Sequence, residues 1–208
     1  MEYLPLIGTV ALLNLLAAVS PGPDFVMTVR NSLIYSRRSG IFTSLGISTA
    51  LAIHLIYCAA GVGYIISTSP FLYSCIKFIG SGYLIYMGIG SFLTKNSKVD
   101  LSETKKETDL TRLQAFRTGF LTNVLNPKAT LFFLSLFTFV ISNSTPLYII
   151  LTISAIIILT AFTWFTIVSI FLTQQNVRRV FLKYEKGINR ILGGFLIFLG
   201  IKVALTFL

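Results

Sequence analysis

The chain has 208 residues, of which 54% are hydrophobic and 12% charged, with a mean hydropathy of +0.81. Soluble domains carry about 25% charged residues, so the charged supply is too small for a water-facing surface. That balance excludes disorder, a disulfide scaffold and an ordinary cytosolic enzyme, and it leaves a single-domain integral membrane protein.

Taken in chain order, apolar segments run at about 4–29, 41–66, 70–93, 116–141, 146–172 and 187–207. Each exceeds the roughly 20 residues a helix needs to cross about 30 Å of hydrocarbon. The expected fold is all-α, with six transmembrane helices. The first basic residue is Arg30, so the first segment lacks the basic n-region of a cleavable signal and reads as a true span. Cys58 and Cys75 fall in apolar runs without a metal or redox motif and read as small core residues.

The net charge of +10 is placed asymmetrically. One connection holds Arg30, Arg37 and Arg38, a second Lys95, Lys98, Lys105, Lys106, Arg112 and Arg117, and a third Arg178, Arg179, Lys183, Lys186 and Arg190. All three fall on one side of a six-span arrangement, while the connections at 67–69 and 142–145 hold no basic residue. Lysine and arginine accumulate in cytoplasmic loops, so these connections are expected in the cytoplasm and both termini outside. The charge then reads as an orientation signal, with no nucleic acid as partner. The linker at about 94–115 adds Asp100, Glu103, Glu107 and Asp109 to its basic residues, and reads as a solvated connection.

That linker separates two related halves, about 1–93 and 116–208. Gly82-Tyr-Leu-Ile-Tyr-Met-Gly-Ile89 recurs as Gly194-Phe-Leu-Ile-Phe-Leu-Gly-Ile201, and Ser20-Pro21 corresponds to Asn126-Pro127. Three spans per half is an odd number, so the second half must be inverted. Inverted repeats of this kind mark secondary transporters with a midplane site at the repeat interface.

Pro5, Pro70 and Pro146 sit at span starts, where a missing N–H costs little. Pro21, Pro23 and Pro127 lie inside spans one and four and should break them, freeing the carbonyls of Ala17, Val19 and Asn123. Such breaks persist in a bilayer only against protein or a wet cavity. Of seven acidic residues, only Asp24 lies within a span, directly after Ser20-Pro-Gly-Pro23. Lys128 follows Asn126-Pro127 near the middle of span four, too deep to snorkel comfortably. One acid and one base thus occupy the two related breaks, where intramembrane ions mark a pathway. Helix capping by Asp24 is the bland alternative.

Ser20-Pro-Gly-Pro-Asp-Phe25 and Asn126-Pro-Lys-Ala129 resemble the two signature segments of the LysE/RhtB amino-acid exporters, and the likeness in size and span pattern covers the whole chain. The Ser-Pro-Gly-Pro-Asp form is more similar to the RhtB branch, with homoserine, threonine and leucine-like substrates, than to the basic-amino-acid branch. The resemblance implies a bacterial inner-membrane exporter driven by the proton-motive force. Its partners would be amino acids, protons and the lipid bilayer, and it would need no cofactor.

For a zwitterion, the half-helix N-termini after Pro23 and Pro127, with Lys128, would hold the carboxylate. The freed carbonyls and the side chains of Asn14 and Asn126 would accept from the ammonium. Asp24 is the candidate proton carrier. Ser20, Pro21, Gly22 and Asn123 complete the expected pathway. His54 could relay protons or simply be a satisfied packing residue. Lys77 reads as an interfacial anchor, and Trp164 as a core or lipid-facing residue. Gly61, Gly63, Gly80, Gly82, Gly88, Gly90, Gly193, Gly194 and Gly200 suggest close helix packing, in a compact monomer or a homodimer alike. A metal-ion exporter is the competing class, yet Asp24, His54, Cys58 and Cys75 form no paired ligand spacing. An intramembrane enzyme would need a nucleophile-and-base set, and none is present.

Overall fold

The computed structural model describes residues 3–20, 22–93, 108–142 and 145–205, and the regular elements among them are helices. In order they are α1 Leu4–Val19, α2 Pro23–Ile34, α3 Arg37–Thr68, α4 Pro70–Leu93, α5 Arg112–Val124, α6 Pro127–Val140, α7 Leu147–Phe171 and α8 Gln175–Leu205. Four of these (α3, α4, α7 and α8) contain stretches long and apolar enough to cross a membrane. The pairs α1–α2 and α5–α6 each pass that test jointly, as bent spans, for up to six crossings. The protein is an all-α integral membrane protein.

The two bent pairs are the breaks expected from proline. In the first, α1 stops at Ser20, whose N–H still reaches the Leu16 carbonyl. α2 restarts after an extended Gly22 with Pro23 in its first turn, and the axes diverge by 54°. Pro21 lies outside the described residues. In the second, α6 restarts at Pro127 and the pair diverges by 58°. Proline suits a first helical turn because its missing N–H has no intrahelical partner there.

The connections differ from the sequence expectation. Arg30 is helical within α2, and Arg37 and Arg38 open α3. α8 begins at Gln175 rather than near 187, so the third basic connection is mostly helix. Lysine and arginine are good helix formers, and a helix can continue past the apolar stretch that hydropathy detects. Lys95, Lys98, Lys105, Lys106, Asp100, Glu103 and Glu107 fall outside the described residues.

Specific contacts gather the basic connections at one end of the bundle. Ser36 N-caps α3 by accepting from the Ser39 N–H, and both hydroxyls donate to the Asp109 carboxylate, at 2.9 and 2.6 Å. Arg37 Nε donates to Thr173 Oγ1 at 3.1 Å, joining the turn before α8 to the same end. Thr111 and Gln114 form a reciprocal capping box at the start of α5. At the opposite end, the Tyr73 hydroxyl of α4 donates to the Thr138 and Ile141 carbonyls, where α6 stops.

α3 lies at the centre, against α2, α5, α6 and α7. It approaches α5 closely because Gly46 and Gly119 lack side chains: a Cβ on Gly46 would stand 2.7 Å from the Phe120 nitrogen. α4 and α8 cross in the same manner. A Cβ on Gly88 would lie 2.7 Å from the Gly193 oxygen and 2.6 Å from an Ile197 side-chain carbon. A Cβ on Gly200 would lie 2.8 Å from the Ser81 oxygen and 2.7 Å from the corresponding carbon of Ile85. Gly80 packs on Ser135, but Gly61, Gly63, Gly82 and Gly90 face open space and Gly194 meets only the tip of Phe92. Within the single chain, close packing is therefore found at Gly80, Gly88, Gly193 and Gly200 and not at those five. Outward positions on a membrane helix place no limit on residue size.

Candidate functional site

The two breaks face each other across a cavity holding about 60 Å³ of space for solvent centres. Asn14, Ala17, Ala18, Ser20, Gly22, Pro23, Asp24 and Phe25 line it from the first broken span, and Asn123, Asn126, Lys128, Ala129, Phe132 and Phe133 from the second. Leu51, Met87, Ala161 and Phe165 close it from α3, α4 and α7. At about 10–15 Å³ per solvent position, the space suits a few heavy atoms. Its walls are mostly apolar, with polar groups concentrated at the helix breaks.

The Asp24 carboxylate is held across the interface by the second break. Its Oδ2 accepts from Asn123 Nδ2 at 3.0 Å and from Asn126 Nδ2 at 3.3 Å. Its Oδ1 is buried and accepts no hydrogen bond among the described residues, and neither does Asn123 Oδ1. Buried acceptors are nearly always satisfied, so two orphans on neighbouring residues beside a cavity form a place for a donor. Lys128 lies within electrostatic reach of Asp24. It extends along Gly22, where an added Cβ would come 3.4 Å from Nζ. The glycine leaves room for the lysine side chain.

Several details refine the sequence reading. Asp24 is not a helix cap, since Gly22 is the N-cap of α2 and Asp24 bonds asparagine side chains instead. The Lys128 N–H at the start of α6 is not free, because Asn126 Oδ1 caps it at 3.0 Å. That same bond, with the donation to Asp24, engages both ends of the Asn126 side chain, leaving one lone pair of Oδ1 for a further donor. Finally, the Asn123 carbonyl orphaned by Pro127 is not free: it accepts from the Asn126 N–H at 2.9 Å and meets His54 Nε2 at 3.0 Å.

A carbonyl can only accept, so His54 Nε2 carries a proton, and in the neutral ring Nδ1 accepts from the Tyr57 hydroxyl. His54 is thus fully buried and satisfied, behind the cavity wall rather than in it. It replaces the backbone donor that Pro127 lacks. Pro127 itself is exposed at the first position of α6 and acts through the bend. Asn14 lines the cavity with its Nδ2 donated to the Ile157 carbonyl at 3.1 Å, tying α1 to α7. Ser20 donates to Asn189 Oδ1 at 3.2 Å, tying the first break to α8. Asn189 escaped the sequence reading because it stands at the start of the sixth apolar segment, next to the basic Arg190.

The remaining residues divide plainly. Trp164 packs against the core beside the cavity-lining Phe165. Lys77 Nζ stands 5.7 Å from the Tyr73 ring, half-buried in α4. Cys58 is buried and Cys75 half-buried, both as free thiols. Among the described residues, no three histidine, cysteine or acidic side chains stand together as a metal site would require.

Residues 15–206 match the LysE type translocator family. The chain is 28% identical over 195 residues to the uncharacterized membrane protein YrhP of Bacillus subtilis, covering 90% of this chain and 93% of that one. It is likewise 28% identical over 199 residues to the threonine efflux protein of Escherichia coli K12, covering 95% and 97%. An uncharacterized membrane protein of Haemophilus influenzae is 25% identical over 193 residues, covering 91% of each chain. No solved structure matches. The chain belongs to the LysE type translocator family, and it is a membrane transporter of small solutes, not an enzyme.

Proposed function

We propose that this protein exports small neutral amino acids or close analogues from the bacterial cytoplasm by proton-coupled secondary transport, through the cavity between its two broken spans. One observation carries the reading. Within the membrane-spanning bundle, a lysine and two acceptors without a hydrogen bond among the described residues, Asp24 Oδ1 and Asn123 Oδ1, border one small cavity. A zwitterion carries the complementary groups. Its ammonium has three donors for Asp24 Oδ1 and Asn123 Oδ1, and its carboxylate suits Lys128. The cavity's size favours a short side chain, and the efflux protein that shares 28% identity is named for threonine.

In the proposed cycle Asp24 is the proton carrier, the one acidic side chain inside a span. Protonation would neutralise it and weaken its hold on an ammonium, so substrate and proton compete for one oxygen. The reading also takes the halves at 1–93 and 116–208 as inverted repeats, which the reciprocal contacts of Gly88 and Gly200 support. It places the basic end in the cytoplasm. A metal-ion cargo is less well supported, since Asp24 has asparagines rather than further soft or acidic ligands around it.

The test is Asp24→Asn in proteoliposomes, with pH-gradient-driven transport and amino-acid counterflow measured together. If Asp24 carries the proton, driven transport is lost while counterflow persists at weakened affinity, because the amide cannot titrate but keeps only one of the two acceptor oxygens. If it only holds the ammonium, both fall together. Intact gradient-driven transport in this variant ends the proton-coupling reading, and absence of counterflow with any amino acid in the unmodified protein ends the substrate reading.

A further inference from the structure

Beyond Asp24, α2 carries a polar seam that the proposed mechanism does not use. Asp24, Thr28, Asn31 and Ser32 follow one another at helical spacing along one face of α2. Thr28 and Asn31 are fully buried. Facing them are Thr43 and Ser44 of α3 and Ser169 of α7, all three fully buried. Asn31 Nδ2 donates to Thr43 Oγ1 at 2.9 Å, and Ser44 Oγ lies 3.4 Å from Ser169 Oγ.

Hydroxyls inside membrane helices commonly fold back on their own backbone. Ser32, Thr43, Ser44 and Ser169 do so, bonding the carbonyls of Thr28, Ser39, Gly40 and Phe165. Helix packing therefore explains four of the six. It does not explain Thr28 Oγ1 or Asn31 Oδ1, which are buried without any hydrogen-bond partner among the described residues. Unmade hydrogen bonds are costly in an apolar interior, and here two of them lie on the face that leads from Asp24. The seam ends beside Gly40. A Cβ there would stand 2.7 Å from Ser169 Oγ and closer still to Ser32 Oγ. α2, α3 and α7 thus close upon a missing side chain, two residues from Arg38 at the basic end.

We propose that this seam is the access route through which water and a small zwitterionic solute reach the Asp24 cavity from the basic end, with Gly40 as its point of closure. Thr28 and Asn31 supply the polar groups that solvate the passing solute, and the seam is shut in the present conformation. The proposal rests on the cavity being the transport site.

The experiment uses single cysteines in a chain whose Cys58 and Cys75 are replaced by alanine. Thr28→Cys and Ser44→Cys are treated in sealed vesicles with a small, impermeant, cationic methanethiosulfonate. Arg38→Cys marks the basic side, and Ile56→Cys marks a lipid-facing position, 69% exposed on the bundle surface. Thiolate is the reactive species, so reaction requires water. Thr28→Cys and Ser44→Cys should react from the same side as Arg38→Cys, at least tenfold faster than Ile56→Cys. Adding Gly40→Ala, which obstructs closure, should raise the Thr28→Cys rate severalfold. As a readout on the unmodified protein, amides 28–32 and 40–44 should exchange with deuterium faster than 153–161 of α7.

Rates at Thr28 and Ser44 equal to that at Ile56, or reaction only from the side opposite Arg38, overturn the route. So does protection of 28–32 equal to that of 153–161. Reaction at Thr28→Cys without amino-acid counterflow leaves the route standing and discards the amino-acid reading. Counterflow in unreactive variants discards the route alone.

Discussion

Asp24 persists inside an apolar bundle because asparagines from the opposite break hydrate it in water's place, while Lys128 lies within reach to offset its charge. Substituting one member of such a set leaves the others unsatisfied, which is where the larger effects arise. Lys128→Met keeps most of the stem and removes the charge, so the fold should survive. A substrate carboxylate would lose a charge-assisted partner worth about 1.5–3 kcal/mol, or roughly ten- to a hundredfold in affinity. Counterflow titrations check this, and unchanged affinity in well-folded protein takes Lys128 out of the site. His54 is a positioning residue, acting through the Asn123 carbonyl. His54→Leu should weaken transport by misplacing Asn123, whereas His54→Gln, which retains an N–H donor, should recover much of it. Equal loss in both would indicate packing alone. Sequence reasoning could single out Asp24, Lys128 and Asn126 because each adjoins an intramembrane proline. It could not see that Asn126 spends both ends of its side chain within the site, or that Asn189, Thr28 and Asn31 matter, since a polar residue in a span carries no label of the face it occupies.

At the scale of elements, the α4–α8 crossing sets the strongest expectation. Gly88 and Gly200 occupy corresponding places in the repeated segment, as do Ser81 and Gly193, and Ile85 and Ile197. Gly88 meets Gly193 and Ile197, and Gly200 meets Ser81 and Ile85. That reciprocity is what a two-fold relation between inverted halves demands of an antiparallel pair. Gly82 and Gly194, the other matched pair, both face outward. Alanine at Gly88 or Gly200 should therefore destabilise by about 1–3 kcal/mol each, through overpacking against backbone. Alanine at Gly82 or Gly194 should be neutral or stabilising, since it improves helix propensity. Thermal unfolding in detergent checks the four together, and unlike effects within either pair argue against the repeat relation. The repeated octapeptide was readable in the sequence, but which of its glycines pack and which face outward depends on helix rotation, and composition does not encode that. The linker's contribution was also hidden. The Ser39 hydroxyl foremost, then Ser36, the Leu110 backbone and Arg38, hold the Asp109 carboxyl below its ordinary value of 3.8. A depressed carboxylate contributes stability above its unfolded value, and loses it as the pH falls through the folded one. The contact should stay intact from pH 7.5 down to 5, with exchange of amides 37–40 constant after correction for intrinsic rates. Asp109→Ala should raise that exchange throughout the range.

For the whole molecule, hydropathy located the four helices able to cross alone and the two bent pairs that pass the test jointly, because length and apolarity are what a bilayer selects. It set the ends poorly, since α3 and α8 continue as helix beyond the apolar stretch into basic residues. The structure adds that the contacts of Asp109 with Ser36 and Ser39, and of Arg37 with Thr173, draw the basic connections together at one end. Tyr73 fastens the stop of α6 at the other. Sidedness is thus shared along that end of the bundle: if Arg37 at the start of α3 faces the cytoplasm, so does the turn at Thr173 that leads into α8. Arg179, Lys183, Lys186 and Arg190 are exposed on α8, so the proposal that the basic end is cytoplasmic, with both termini outside, can be tested there directly. In a background with Cys58 and Cys75 replaced, Tyr184→Cys, exposed among those basic residues, should resist an impermeant thiol reagent in intact cells and react once the cells are opened. Ser142→Cys, exposed at the far end, should react in intact cells. The opposite pattern inverts the orientation, and with it the direction in which the Gly40 closure point would face. Reaction of both cysteines in intact cells would mean that the basic end and the Tyr73 end share one side, and it would refute the bundle of six spans.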